Sequence, residues 1–306
     1  MTTRLIAASL ASFWRDGTRV ERIGYVVGGL LLLSGLLHLA ILGTSGASWY
    51  GPLSLRKPAT FGLSFGLTLI TIVWVTSFLP IGSRARTVLL GVFTVACVVE
   101  TALVTLQAWR GVPSHFNLET PLDGAIARVL AGGGMALVAI ILALTIISFR
   151  ANATVPLSLR IAIRIGFIAL LGAVVVGALM IAKGMSLVFA GDPQAAYATG
   201  GTLKPIHAVA MHAILVFPGL AWLLSFANWN ERRRAAVVLA GVAGYMLLAA
   251  VVVAGTILGR ELQDLPRGAL LLFAFGAFSL LAAGVLAVGA VVWSPSTAHD
   301  RRTGPA

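Results

Sequence analysis

Glu100, His38, His207 and His212 carry ionisable groups inside long apolar runs of this sequence. A charge in such a setting is costly, so each group needs a partner, a proton or a ligand. Glu100 lies roughly 14 residues past Arg86, about 21 Å along a helix. Gln107 is two turns further on the same face, and Arg110 stands near the end of that run. His212 is roughly 12 Å inside Lys204, a depth close to that of Glu100. An acid and a base at one height suit proton transfer, which makes Glu100 and His212 the candidate catalytic pair. His207 and His212 are five residues apart, so on an ideal helix their rings point about 140° apart and cannot grip one metal together. His38, with Ser34 one turn below it, completes the set. Neutral imidazole is the usual axial ligand of haem, so His38, His207 and His212 are also candidate cofactor ligands.

A second group gathers where the apolar runs end. The stretch from Gln107 to Asn117 sets Gln, Trp, Arg, Ser, His and Asn between two helices, and Gly111 and Pro113 turn the chain there. Arg110 and His115 suit an anionic headgroup, a carboxylate or a propionate. Lys57, Gln107, Asn117 and Lys204 are the candidate substrate contacts. Ser114 and His115 adjoin in sequence, which does not by itself make a nucleophile and a base. A plainer reading stands beside each: a structural interhelical hydrogen bond for Glu100 and the histidines, a solvated loop for the connection, snorkelling for Lys183 and Arg128. Trp49, Tyr50, Trp109 and Trp293 read as interfacial aromatics. No phosphate-binding loop, dinucleotide fingerprint or HExxH motif appears. The one cysteine, Cys97, excludes an intrachain disulfide and a cysteine-built metal site.

The elements that must position these groups are membrane helices. Of 306 residues, 58% are hydrophobic and 10% charged, and the mean hydropathy is +0.97. A soluble domain carries about 25% charge, so most of this surface must face lipid. Eight runs approach the ~20 residues a crossing needs: roughly 23–43, 60–80, 87–108, 125–149, 165–190, 205–227, 235–258 and 268–293. The expected fold is all-α, a polytopic membrane bundle of eight transmembrane helices, since the runs lack the alternation of a barrel wall. The net charge of +12 would point to nucleic acid in a soluble protein. Here it follows the membrane rule instead, because Arg4, Arg15, Arg19, Arg22, Arg84, Arg86, Arg150, Arg160, Arg164, Arg232 to Arg234, Arg301 and Arg302 fall on one side. The partner expected is therefore the bilayer and not nucleic acid. The rule places both termini in the cytoplasm of a cell-membrane protein, and the first run reads as a retained helix, not a cleaved signal. The polar groups then lie in the outer half.

The expected organisation is a cytoplasmic segment 1–22, helices one to four over 23–149, a cytoplasmic linker 150–164, helices five to eight over 165–293 and a cytoplasmic tail 294–306. Leu55-Arg56-Lys57-Pro58 and Leu203-Lys204-Pro205, Arg22 and Arg164, and Arg84/Arg86 and Arg232 to Arg234 recur at offsets of roughly 142 to 150 residues, as in a parallel repeat. Basic ends and prolines are also common habits of polytopic chains, and the sequence admits both readings. Gly24/Gly28, Gly62/Gly66 and Gly255/Gly259 stand four apart and suit close packing. Eight spans in two parallel four-helix halves, with histidines toward one face, resemble the haem A synthases in topology across the chain. The resemblance implies haem held by histidines, with Arg56, Lys57, Arg110 and Lys204 at the propionates. Spans four and eight of this chain carry no histidine. The expected function is a membrane protein with a polar outer site, either a haem- or metal-binding redox protein, a proton-coupled solute carrier, or an enzyme acting on a lipid or envelope precursor. In each case a small molecule or lipid engages the outer face.

Overall fold

The computed structural model describes residues 2–293, with the side chains of Thr2 and 198–200 left aside; the tail 294–306, with Arg301 and Arg302, lies outside the described residues. The described chain is all helix, without strands. Its helices are α1 (Thr2–Arg15), α2 (Arg19–Thr44), α3 (Arg56–Thr76), α4 (Ser83–Trp109), α5 (Pro121–Ser148), α6 (Leu157–Phe189), α7 (Pro193–Leu224), α8 (Glu231–Ile257) and α9 (Arg267–Val292). The eight from α2 to α9 are long and apolar enough to cross a membrane. Each coincides with one expected run, and the protein is a polytopic helix bundle. Large apolar side chains stand exposed on its helices, among them Leu30, Leu33 and Leu37 of α2 and Leu271, Phe275 and Phe278 of α9. Lipid accepts such a face, whereas water does not.

Two elements differ from expectation. Residues 2–15 form a helix of their own, too short to span. α7 begins at Pro193, well before the expected start near 205. Its first turn has Pro at N1, and the Asp192 carboxylate accepts the Ala195 N–H (2.9 Å). A proline at N1 and an acidic cap start a helix well, and the helix runs on through Pro205.

Contacts gather into two compact units: residues 18–151 with 167–212, and the described parts of 1–17, 152–166 and 213–306. In the first, α2 and α3 pack backbone to backbone. A Cβ on Gly35 would stand 2.5 Å from the Leu63 nitrogen, and one on Gly66 2.7 Å from the Gly28 carbonyl oxygen. In the second, Gly244 and Gly276 bring α8 and α9 together in the same way. The Gly255/Gly259 pair does not serve as a helix seam: Gly259 has φ +64 and ends α8.

One buried ion pair ties the first unit at the start of α2. Thr18 caps α2 and its N–H donates to Glu21 Oε2 (2.7 Å), while Glu21 Oε1 accepts from Arg86 Nη1 (2.8 Å). Arg86 also donates to the Thr76 and Leu79 carbonyls that close the α3–α4 turn (3.0 and 3.3 Å). The second unit repeats the turn. Arg234 donates to the Ala227 carbonyl (2.7 Å). Trp222 meets Phe226 edge-on as Trp74 meets Phe78, and Ser225 bonds the Trp222 carbonyl as Ser77 bonds that of Trp74 (2.6 Å in both). At the same offset α4 and α8 are both 27 residues long, and each ends in a left-handed glycine, Gly111 and Gly259.

Gly35→Ala is expected to destabilise the protein by about 1–3 kcal/mol, since the added methyl meets backbone. Gly29→Ala, whose Cβ meets nothing within 4 Å, is expected to be neutral. Thermal unfolding of the two variants in one detergent compares them.

Candidate functional site

The candidate residues of the first unit fall into four groups. At the junction of α4 and α5, Asp123 collects polar partners. Its Oδ1 accepts from Gln107 Nε2 (2.9 Å) and Arg110 Nη1 (2.6 Å), and its Oδ2 from the Thr120 hydroxyl (2.6 Å). Arg110 also donates to Gln107 Oε1. Gln107 and Asp123 are buried over a core of Val104, Ile126 and Leu130. Gln107 and Arg110 are thus held by a carboxylate of their own chain, and their arrangement is that of a clamp closing the α4–α5 connection. Sequence reasoning passed over Asp123; its signal was Thr120 three residues ahead of it, the spacing of a helix cap.

His38 is buried, and both of its ring nitrogens are engaged. Trp109 Nε1 can only donate, so Nε2 of His38 accepts (3.0 Å) and Nδ1 carries the proton to the Ser34 carbonyl (2.8 Å). His207 turns Nδ1 to the Ala173 carbonyl of α6 (2.7 Å), beside Gly177. His212 is exposed and bonds the Ala208 carbonyl of its own helix (2.6 Å). His38 therefore has no free ring nitrogen to offer a metal or haem. Among the described residues no three of His, Cys, Asp and Glu group as a metal site.

Glu100 is buried on α4 in a notch that glycine makes in α5. A Cβ on Gly133 would stand 2.5 Å from its Oε1, so a side chain there would push the carboxyl aside. Oε1 has no hydrogen-bond partner, and the buried hydroxyls of Thr101 and Thr105 on the same helix have none either. Unsatisfied buried polar atoms mark places for water or ligand. Glu100 and His212 therefore have different surroundings, one enclosed and one exposed.

The fourth group is the connection 110–120 with the start of α3. Phe116, at φ 67, lays its ring against Gly184 of α6, where a Cβ would come within 2.3 Å of Cζ. His115 lies 5.9 Å from the Phe61 ring and 6.0 Å from that of Phe116. The Ser114 hydroxyl is hydrogen bonded to His115 Nδ1 at 2.9 Å, so these neighbours do face each other. Burial, helped by the Lys57 charge, pushes the His115 imidazole down to about 3. Lys57 in turn feels Lys204, and Lys204 feels Arg56. Among the described residues these three cations make no ion pair. Two buried donors beside the connection, Asn117 Nδ2 and the Tyr197 hydroxyl, lack partners, and Tyr197 feels Glu119 and Asp123. The arrangement gathers unsatisfied donors and positive charge, which is the chemistry of anion recognition.

Comparison with family models, with curated proteins and with solved structures finds no match to this chain.

His115 is expected to stay neutral from pH 8 down to about 4, read from its histidine NMR signals. The unfolded chain takes up that proton near 6.5 and the folded chain only near about 3. Folding stability should therefore fall as the pH drops through that interval, and His115→Gln should flatten the slope.

Proposed function

We propose that the protein is a membrane carrier for a small anionic solute, with Glu100 as the group that carries a coupled proton. The observation that supports this most is the cationic start of α3. Lys57 and Arg56 stand at a helix N-terminus, already the positive end of the dipole, with Lys204 near and no carboxylate paired to them. Such charge is stable when an anion sits there. Asn117 and Tyr197 supply neutral donors, and neutral His115 adds no further repulsion. Along α4, Thr101 and Thr105 offer hydroxyls between Glu100 and the Gln107 end.

A haem ligated by His38 would require that ring to leave Trp109 and Ser34. A second reading draws on the Ser114–His115 hydrogen bond: a serine beside a neutral imidazole is the start of a nucleophile and base pair. A fluorophosphonate that labels the wild type but not Ser114→Ala would favour an enzyme.

The carrier reading is tested in proteoliposomes filled with a pH dye and offered phosphate, succinate and glycerol phosphate in turn. An anion-dependent proton flux is expected for at least one of them. Glu100→Gln should abolish the flux and keep the thermal shift that the anion produces, while Lys57→Ala should weaken anion affinity, read from the concentration dependence of that shift, by about tenfold, the loss of one charge-assisted contact. Absence of both flux and shift with all three anions removes the proposal. Gly133→Ala, which closes the notch on Glu100, should reduce the flux without changing anion affinity.

A further inference from the structure

We propose that α1 lies flat in the bilayer interface and binds an anionic lipid surface. It has 14 residues, about 21 Å of helix, too short to cross a ~30 Å hydrocarbon core. On a helical wheel Ile6, Leu10, Phe13 and Trp14 share one side, while Arg4 and Arg15 share the other. Leu10 is 54% and Trp14 48% exposed, and Ile6 and Phe13 are half-buried. The chain passes from α1 into a membrane-crossing helix through Asp16, Gly17 and Thr18 alone, so the apolar side is never far from the lipid surface.

The charges select which lipid. Arg4 and Arg15 make no ion pair among the described residues, nor do Arg19 and Arg22, which begin α2 and are exposed. Asp16 is the one acid before Glu21. An apolar stripe carrying exposed Leu and Trp, opposite unpaired arginines, matches the interfacial amphipathic helices that bind by apolar burial plus attraction to anionic headgroups. Each basic residue near such a surface adds about 1 kcal/mol, roughly a fivefold gain in binding, at low screening.

The test uses the full chain with Cys97→Ala and one spin-labelled cysteine at a time. Leu10→Cys and Trp14→Cys report the apolar side, Ala8→Cys and Ala11→Cys the arginine side. Each is reconstituted in phosphatidylcholine vesicles and in phosphatidylcholine mixed with phosphatidylglycerol. Labels at 10 and 14 should be several-fold more accessible to oxygen than to a nickel chelate, labels at 8 and 11 the reverse. The contrast should grow with phosphatidylglycerol and lose that growth in Arg4→Gln/Arg15→Gln. Equal water access on both sides overturns the interfacial placement. Identical results in the two lipids overturn the anionic preference. Spin–spin broadening at 10 and 14 that fades on dilution with unlabelled protein would assign the face to a second copy and overturn the proposal.

Discussion

Hydrocarbon offers no hydrogen bonds, so a polar group carried into the membrane must find its partner within the protein. Most of this structure obeys that constraint by short local means. Thr71, Thr94 and Thr145 donate back to carbonyls one turn earlier in their own helices. His38 is closed off by Trp109 and Ser34, and Asp123 by Gln107, Arg110 and Thr120. Glu21 joins a helix cap to a partly buried arginine. Against that background the exceptions are Glu100, Thr101 and Thr105 on α4, Asn117 in the following connection, Tyr197 on α7, and the Nε atoms of Arg160 and Arg234. The first five belong to one compact unit, in which Arg56, Lys57 and Lys204 make no ion pair among the described residues. A constraint met almost everywhere gives its local failures meaning.

The glycines serve the same economy of space. Gly35 and Gly66 let two backbones touch, whereas Gly133 and Gly184 each admit a single side chain, a carboxyl in one case and a phenyl ring in the other. The second kind seats one side chain, whereas the first forms a seam between helices. Phe116 on Gly184 fixes the turn that presents Ser114, His115 and Asn117, and it does so through a left-handed backbone that a bulky residue adopts only when held.

The spans were legible because their signal is length and apolarity, which no tertiary contact can override. α1 was not, since its period is clear only once arginines and apolar residues are placed on a wheel, and a short basic segment at a chain start reads as a solvated lead. At the site, residue type pointed correctly to buried polar groups: Glu100, Gln107 and His38 are all enclosed. Depth along a helix did not tell direction around it, and so His212 was set at the height of Glu100 although it faces outward. Pairing was the harder matter. Asp123 looked like a loop acid, yet it takes up the polar groups of Gln107 and Arg110, and no spacing rule in α4 announces a partner that lies beyond a turn.

The matching turns of the two units allow α4 and α8 to be compared position by position. The shared turn fixes the register: Trp74 with Trp222, Arg86 with Arg234, Gly111 with Gly259. In that register Leu248 stands where Glu100 does, Gly255 where Gln107 does, and Leu258 where Arg110 does. Every polar member of α4 at the site has an apolar or minimal counterpart in α8. Leu248 lines an apolar groove of about 860 Å3 with Leu220, Leu280 and Gly284. The elements that build the turn, a tryptophan, a serine, a phenylalanine and a partly buried arginine, are common to both halves, whereas Glu100, Gln107 and Arg110 of α4 have no polar counterpart in α8. The residues common to the two turns are those that close the turn itself. A carboxyl has no part in that closure, and Leu248 occupies the corresponding position of α8. Glu100 is thus a feature of α4 that the shared turn does not require.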